Sequence, residues 1–274
     1  MRIAELPALY EADYHVYEVF SMRQFWREGA VFRMRSPRKT SALLYLCGCR
    51  ADYQIGKRTL WAPKGSLVYI PSGSTYTTQF SQCRGCAAIL IEFILKDEDQ
   101  TPFDLFGEVN TVSQNADPVI RGLFEAAADV SERPVRSPAK LRSLIYEILT
   151  HLAAAERENM LASGKFASIA RGITLMDSNK SFGMSVGEIA RVCGVSPSTF
   201  RRLFKEWSGK SPAGYLLKAR IDHAARLLSI GTLSAAQTSA ACGFRDPAYF
   251  SRIFKKYTGT TPGEYGKPKR KTTS

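Results

Sequence analysis

Residues 243–262 read "GFRDPAYFSRIFKKYTGTTP", and residues 194–212 read "GVSPSTFRRLFKEWSGKSP". Superposing them aligns Phe204 with Phe254, Lys205 with Lys255, Gly209 with Gly259, Pro212 with Pro262 and Tyr215 with Tyr265. The offset is 50 from Phe204 onward and 49 at the leading pair Gly194 and Gly243, so the second copy carries one extra residue before its helix. A solenoid needs at least three stacked units. Two copies are a duplicated small module.

Each copy has the same internal grammar. A short helix, "VGEIARVCG" or "AAQTSAACG", leads to a glycine suited to a turn with positive φ. Ser196 and Asp246 then stand as N-caps, each followed by Pro at the first helical position. The helix that follows has an inward stripe of Phe200, Leu203, Phe204 and Trp207, repeated as Phe250, Ile253, Phe254 and Tyr257. Its other face carries Ser198, Thr199, Arg201, Arg202 and Lys205 in one copy. In the second copy it carries Ala248, Tyr249, Ser251, Arg252, Lys255 and Lys256. Two helices across a sharp turn, the second with a basic outer face, form a helix-turn-helix pattern. An arginine fork can bond O6 and N7 of guanine together, whereas lysines neutralise phosphates. Between the copies, "AGYLLKARIDHAARLL" reads as a linker helix.

Charge supports the same partner. Residues 166–274 hold 18 Lys+Arg against 6 Asp+Glu, an excess of +12, while residues 1–165 hold 20 against 19. A polyanion bound by one domain produces such an asymmetry. The chain of 274 residues, 45% hydrophobic and 23% charged, has room for two globular domains. Its start, "MRIAELPALYEADYH", lacks the apolar stretch of a signal peptide, and the run "CAAILIEFIL" is too short to cross a bilayer. These features predict a cytoplasmic protein without a membrane partner and with reduced thiols.

The front half reads differently. "ALLYLCG", "ADYQIG", "SLVYIP", "TYTTQF" and "AAILIEF" are short runs punctuated by Gly, Pro and Ser, the spacing of an antiparallel barrel or sandwich. From about residue 116 the period becomes helical, and Leu141, Leu144, Ile145, Ile148, Leu149 and Leu152 form one apolar stripe. "LASGK" at 161–165 reads as a linker, and 267–274 as a basic disordered tail.

With both repeats in view, residues 166–266 resemble the DNA-binding domain of the AraC/XylS family of bacterial transcription regulators. "YLCGCRADYQIGKRTLWAPKGSLVYIPSGSTYTTQF" resembles the cupin-like sensor barrel of many members. The fold expected is therefore α+β and multidomain. It comprises a cupin-like β-barrel over 1–115, a helical dimerisation segment over 116–162, and an all-α double helix-turn-helix domain over 166–266. The resemblance implies double-stranded DNA, RNA polymerase, a small-molecule effector and a second copy of the chain as partners, with activation as the outcome. It places base-reading positions at Ser198, Arg201, Arg202, Ala248, Ser251 and Arg252. One departure stands out: where the first unit has Glu188, Ile189 and Ala190, the second has Gln237, Thr238 and Ser239, which implies weaker packing there.

Three other readings concern the front half. Tyr45, Tyr53, Tyr69 and Tyr76 offer aromatic walls for an effector, or plain core. Cys47, Cys49, Cys83 and Cys86 form two close pairs that could bind zinc or respond to oxidation, or serve as small buried hydrophobes. A cupin metalloenzyme would need clustered imidazoles, but the only histidines are His15, His151 and His223, scattered along the chain. No cofactor and no enzymatic activity are expected.

Overall fold

The segment Ser41–Tyr45 is buried at all five positions, which requires cover on both faces of its sheet. The computed structural model, which describes residues 2, 3, 6, 9, 12–162 and 164–266, supplies that cover. Contacts divide the chain into two units, residues 1–157 and 158–274.

The first unit contains strands β1 (Arg2–Ile3), β2 (Tyr14–Gln24), β3 (Val31–Met34), β4 (Ser41–Tyr45), β5 (Arg50–Ile55) and β6 (Arg58–Ala62). It continues with β7 (Leu67–Ile70), β8 (Tyr76–Ser81), β9 (Ala88–Asp97), β10 (Pro102–Asp104) and β11 (Asn110–Ser113). Helices α1 (Pro118–Glu132) and α2 (Pro138–Ala162) follow. The larger sheet has the order β1-β10-β9-β4-β7-β11, with β2 also paired to β9; the smaller has the order β3-β8-β5-β6. Alternation then divides the larger sheet. Leu44, Val68, Ile70 and Leu90 pack toward Tyr53, Tyr76 and Phe80 of the smaller sheet. Leu43, Leu67, Ile89, Ile91 and Phe93 pack on Ile120 and Phe124 of α1 and on α2. The layers are therefore sheet, sheet and helices.

One expectation is corrected here, and a second gains no support. The closed barrel does not form, because among the described residues no ladder joins the two sheets. A sheet apolar on both faces is stable as the middle of three layers, so closure is not needed to bury it. The second concerns the dimerisation segment. Leu141, Leu144, Ile145, Ile148, Leu149 and Leu152 are all buried against the larger sheet of their own chain. Tyr146 reinforces that docking, accepting from the Val16 N–H at 3.0 Å and donating to the Tyr14 carbonyl at 3.3 Å. Arg23 of β2 likewise bonds Glu125 and Asp129 of α1 at 2.7 and 2.6 Å. This stripe is core and is not open to a second copy.

The second unit is helical: α3 (Ala170–Met176), α4 (Val186–Val192), α5 (Pro197–Ser208), α6 (Pro212–Ile230), α7 (Ala235–Ala241), α8 (Pro247–Thr258) and α9 (Pro262–Tyr265). Its caps are those the repeats spell out. Ser196 accepts from the Thr199 N–H and Asp246 from the Ala248 N–H, while Gly209 and Gly259 close their helices at φ 70° and 79°. Ser185 with Glu188 and Ser234 with Gln237 form reciprocal capping boxes at the starts of α4 and α7. The α6 helix is shared. Leu216 joins the first core with Ile189, Phe200 and Phe204, while Ile221, Ala224 and Leu228 join the second with Phe244, Phe250 and Phe254.

Smaller differences from the sequence reading also appear. Tyr257, expected on the inward stripe, is 44% exposed, because the α8 core closes on Phe250 and Phe254. At the expected linker, α2 runs to Ala162 and a 3-10 turn spans Gly164–Ile169, while residue 163 lies outside the described residues. The tail at 267–274 lies outside the described residues. Among the described residues no helix is long and apolar enough to cross a membrane.

Candidate nucleic-acid interface

The two amphipathic helices α5 and α8 bury Phe200, Leu203 and Phe204, and Phe250 and Phe254. What remains outward is basic. Ser198, Arg201, Arg202 and Lys205 are exposed on α5, and Ala248, Tyr249, Arg252, Lys255 and Lys256 on α8. Thr199 and Ser251 are half-buried and already engaged. The Thr199 hydroxyl lies 2.8 Å from the Ser196 hydroxyl, and the Ser251 hydroxyl donates to the Pro247 carbonyl at 3.0 Å. Ser198 also meets Ser196, at 2.9 Å, so the cap of α5 is a small hydroxyl network.

The arginines differ in their constraints. Arg202 lies 3.9 Å from Glu206, one turn along the helix, and Glu206 also pairs with Lys165. Arg252 sits 5.9 Å from the ring centroid of Tyr249, whose face favours a cation there. Both guanidiniums remain on the exposed face of their helices. Arg245 is also exposed, beside the α8 cap.

The two helix-turn-helix units are held in one body. Arg220 of α6 donates to the Met184 carbonyl at 3.0 Å, and Phe182 meets the His223 ring edge-on at 5.4 Å. In the second helix-turn-helix unit, Thr238 and Ser239 are 0% and 1% exposed, and neither hydroxyl has a hydrogen-bond partner among the described residues. The departure noted in the sequence is thus a real gap in polar satisfaction.

In the first unit the four tyrosines do not converge. Tyr53 and Tyr76 line a cavity between the sheets. Tyr45 and Tyr69 face the helix side, where Tyr69 donates to buried Asp104 at 2.6 Å and accepts from the Leu105 N–H at 3.1 Å. Tyr69 is therefore committed to core hydrogen bonding.

The four cysteines also divide. Cys47 and Cys86 lie on the helix side with Sγ atoms 3.6 Å apart, while Cys49 and Cys83 belong to the inter-sheet core. The loop at 84–86 folds onto Gly48, where a Cβ would stand 2.2 Å from the Cys86 oxygen and 2.3 Å from the Arg84 oxygen. The pairs thus pack into different cores, with Cys49 beside Cys83, and among the described residues they are not gathered into one four-thiolate site. Among the described residues no group of three or more His, Cys, Asp or Glu is placed to hold a metal. Burial, and then the Cys86 neighbour, push the Cys47 thiol up to about 12.

Comparisons with known proteins bear on the second unit. Residues 189–268 match a family model described as a helix-turn-helix domain. The transcriptional activator NphR of a Rhodococcus species is 37% identical over 84 residues, 31% of this chain and 25% of that protein. A putative AraC-like transcription regulator of Streptomyces lividans is 29% identical over 146 residues, 51% of this chain and 48% of that protein. A transcriptional regulator of AraC-type DNA-binding domain-containing proteins from Chromobacterium violaceum, known by crystal structure, is 28% identical. That match covers 39% of this chain and 96% of the other, with a TM-score of 0.34. The chain spans about a quarter to a half of the length of the curated relatives it matches. By sequence match and by its two capped units, the C-terminal part of this chain is an AraC-type helix-turn-helix domain.

Proposed function

We propose that the protein is a sequence-specific DNA-binding transcription regulator. One observation carries this reading: two capped helices with exposed Arg and Lys faces share the α6 core, in a segment with a +12 excess. In this reading α5 and α8 enter successive major-groove faces, with Arg201, Arg202 and Arg252 reading bases. Lys205, Lys255 and Lys256 meet phosphates.

The protein acts in the cytoplasm, with RNA polymerase as its further partner. Activation is adopted as the direction because the Rhodococcus relative carries that name. A homodimer belongs to the same reading, through a surface other than the Leu141–Leu152 stripe. The first unit supplies control, taking a small-molecule effector in the inter-sheet cavity beside Tyr53 and Tyr76.

Selection of bound DNA from a random pool tests the reading directly. The expected product is a site with contacts spaced about one DNA turn, roughly 34 Å, apart. Enrichment of no sequence over the starting pool would overturn it.

A further inference from the structure

The cavity between the two sheets has a volume of about 230 Å³. That is below the roughly 300–1,000 Å³ of pockets for drug-sized ligands. Its walls are mostly aromatic and aliphatic. Trp26 stacks on Phe80 with centroids 4.6 Å apart and planes 8° from parallel, and Phe32 leans on Trp26 at 5.9 Å. Leu44, Ile70 and Leu90 add to the apolar lining. The Trp26 indole N–H is already satisfied, donating to Gln24 Oε1 at 3.0 Å.

The polar groups on the wall fall into two kinds. Arg38 is buried and committed: it pairs with Glu92, donates to the Tyr76 hydroxyl at 3.3 Å, and donates to the Thr40 carbonyl at 3.3 Å. Its charge is thereby neutralised. Tyr53 and Thr78 are different. They stand opposite each other in the β5–β8 ladder, each is 1% exposed, and neither hydroxyl has a hydrogen-bond partner among the described residues. A buried hydroxyl without a partner carries a desolvation cost that a hydrogen-bonding occupant removes.

We propose that this cavity takes a compact, neutral, single-ring aromatic molecule bearing a hydroxyl or carbonyl group, hydrogen-bonded by Tyr53 and Thr78 and packed on Trp26 and Phe80. Its role as an effector rests on the regulator reading above; its chemistry does not. The small volume favours a compact occupant over a long acyl chain. A carboxylate would meet Glu92 beside an arginine that Glu92 already neutralises, so the occupant is uncharged. A sugar would bring more hydroxyls than two free partners can satisfy, and an apolar wall would leave the rest unpaired. Burial also raises the Tyr53 pKa above its usual value, so the hydroxyl stays protonated even in alkaline solution.

The test is calorimetric titration of the full chain with three probes: 4-hydroxybenzyl alcohol, 4-hydroxybenzoate and glucose. The neutral alcohol is expected to bind at least tenfold more tightly than either of the others. Tyr53→Phe and Thr78→Val, which keep shape and remove only the hydroxyl, are each expected to weaken it about tenfold without lowering the melting temperature. Unchanged binding in both variants would place the ligand elsewhere and overturn the proposal. Preference for the benzoate or for glucose would overturn the ligand class while leaving an effector in this cavity. No binding of any probe would overturn the proposal outright. A DNA-shift assay run in parallel separates the two readings, since failure to bind DNA would remove the regulator reading and leave the titration result intact.

Discussion

A Cβ placed on Gly243 would stand 2.1 Å from the carbonyl oxygen of Phe182. The turn of the second helix-turn-helix unit therefore lies directly on the backbone that leads into the first. With Arg220 bonded to Met184 across the same junction, this contact sets where α8 sits relative to α5. Its counterpart in the first repeat, Gly194, has the same left-handed backbone at φ 68°, but no atom of the described residues lies within 4 Å of a Cβ there. The pair separates backbone strain from close packing.

Gly194→Ala should cost about 1–2 kcal/mol, the price of an alanine in the left-handed region. Gly243→Ala carries that cost plus a backbone collision, and should exceed roughly 3 kcal/mol. Denaturant unfolding followed by Trp207 fluorescence, the indole of the second unit, measures both. Equal costs would show that the Phe182 approach is loose.

Thr238→Val and Ser239→Ala should each stabilise the second unit, by about 1 kcal/mol. Each removes a buried hydroxyl that finds no partner among the described residues, and valine keeps the shape of threonine. The same unfolding assay reads the effect. A loss of stability would mean that these hydroxyls are satisfied in solution.

For DNA, Arg202→Ala and Arg252→Ala should each cost about 1–3 kcal/mol and relax preference at particular base pairs. Lys256→Ala should weaken all sequences alike and lower the salt slope by about one. Binding titrations on selected and scrambled duplexes at several salt concentrations distinguish the two. A uniform loss from the arginine variants would move base reading to other residues, with Arg245 the first to examine.

Leu144→Ala should destabilise the first unit by about 2–5 kcal/mol, the usual range for a leucine deleted from a packed core. Leu144→Asp should unfold that unit rather than yield a folded monomer, because the stripe packs on its own sheet. Near-ultraviolet circular dichroism and sedimentation would show which occurs. A folded variant that had only lost its partner would return the stripe to an interface.

Why the two halves differ in legibility is visible in particular residues. The helix-turn-helix units could be read because their signals are local. A cap and its N–H donors lie within three residues, as Ser196 and Thr199 do, and α5 turns Phe200 inward and Arg201 outward within a single turn. The polar substitution at Thr238 and Ser239 was legible for the same reason, since their neighbours in the repeat are Ile189 and Ala190.

The sequence alone thus determined the duplicated module, its caps, its turn glycines, and the basic faces of α5 and α8. Tertiary structure decided the front unit. Every residue of Ser41–Tyr45 is buried, so alternation carries no polar mark to say which side faces which layer. Only strand pairing sends Tyr53 and Tyr76 to the cavity and Tyr45 and Tyr69 to the helices, parts Cys47 and Cys86 from Cys49 and Cys83, and lays the Leu141–Leu152 stripe on the sheet. Pairing between residues far apart in sequence is a property of the folded register, and a one-residue shift would exchange the two faces.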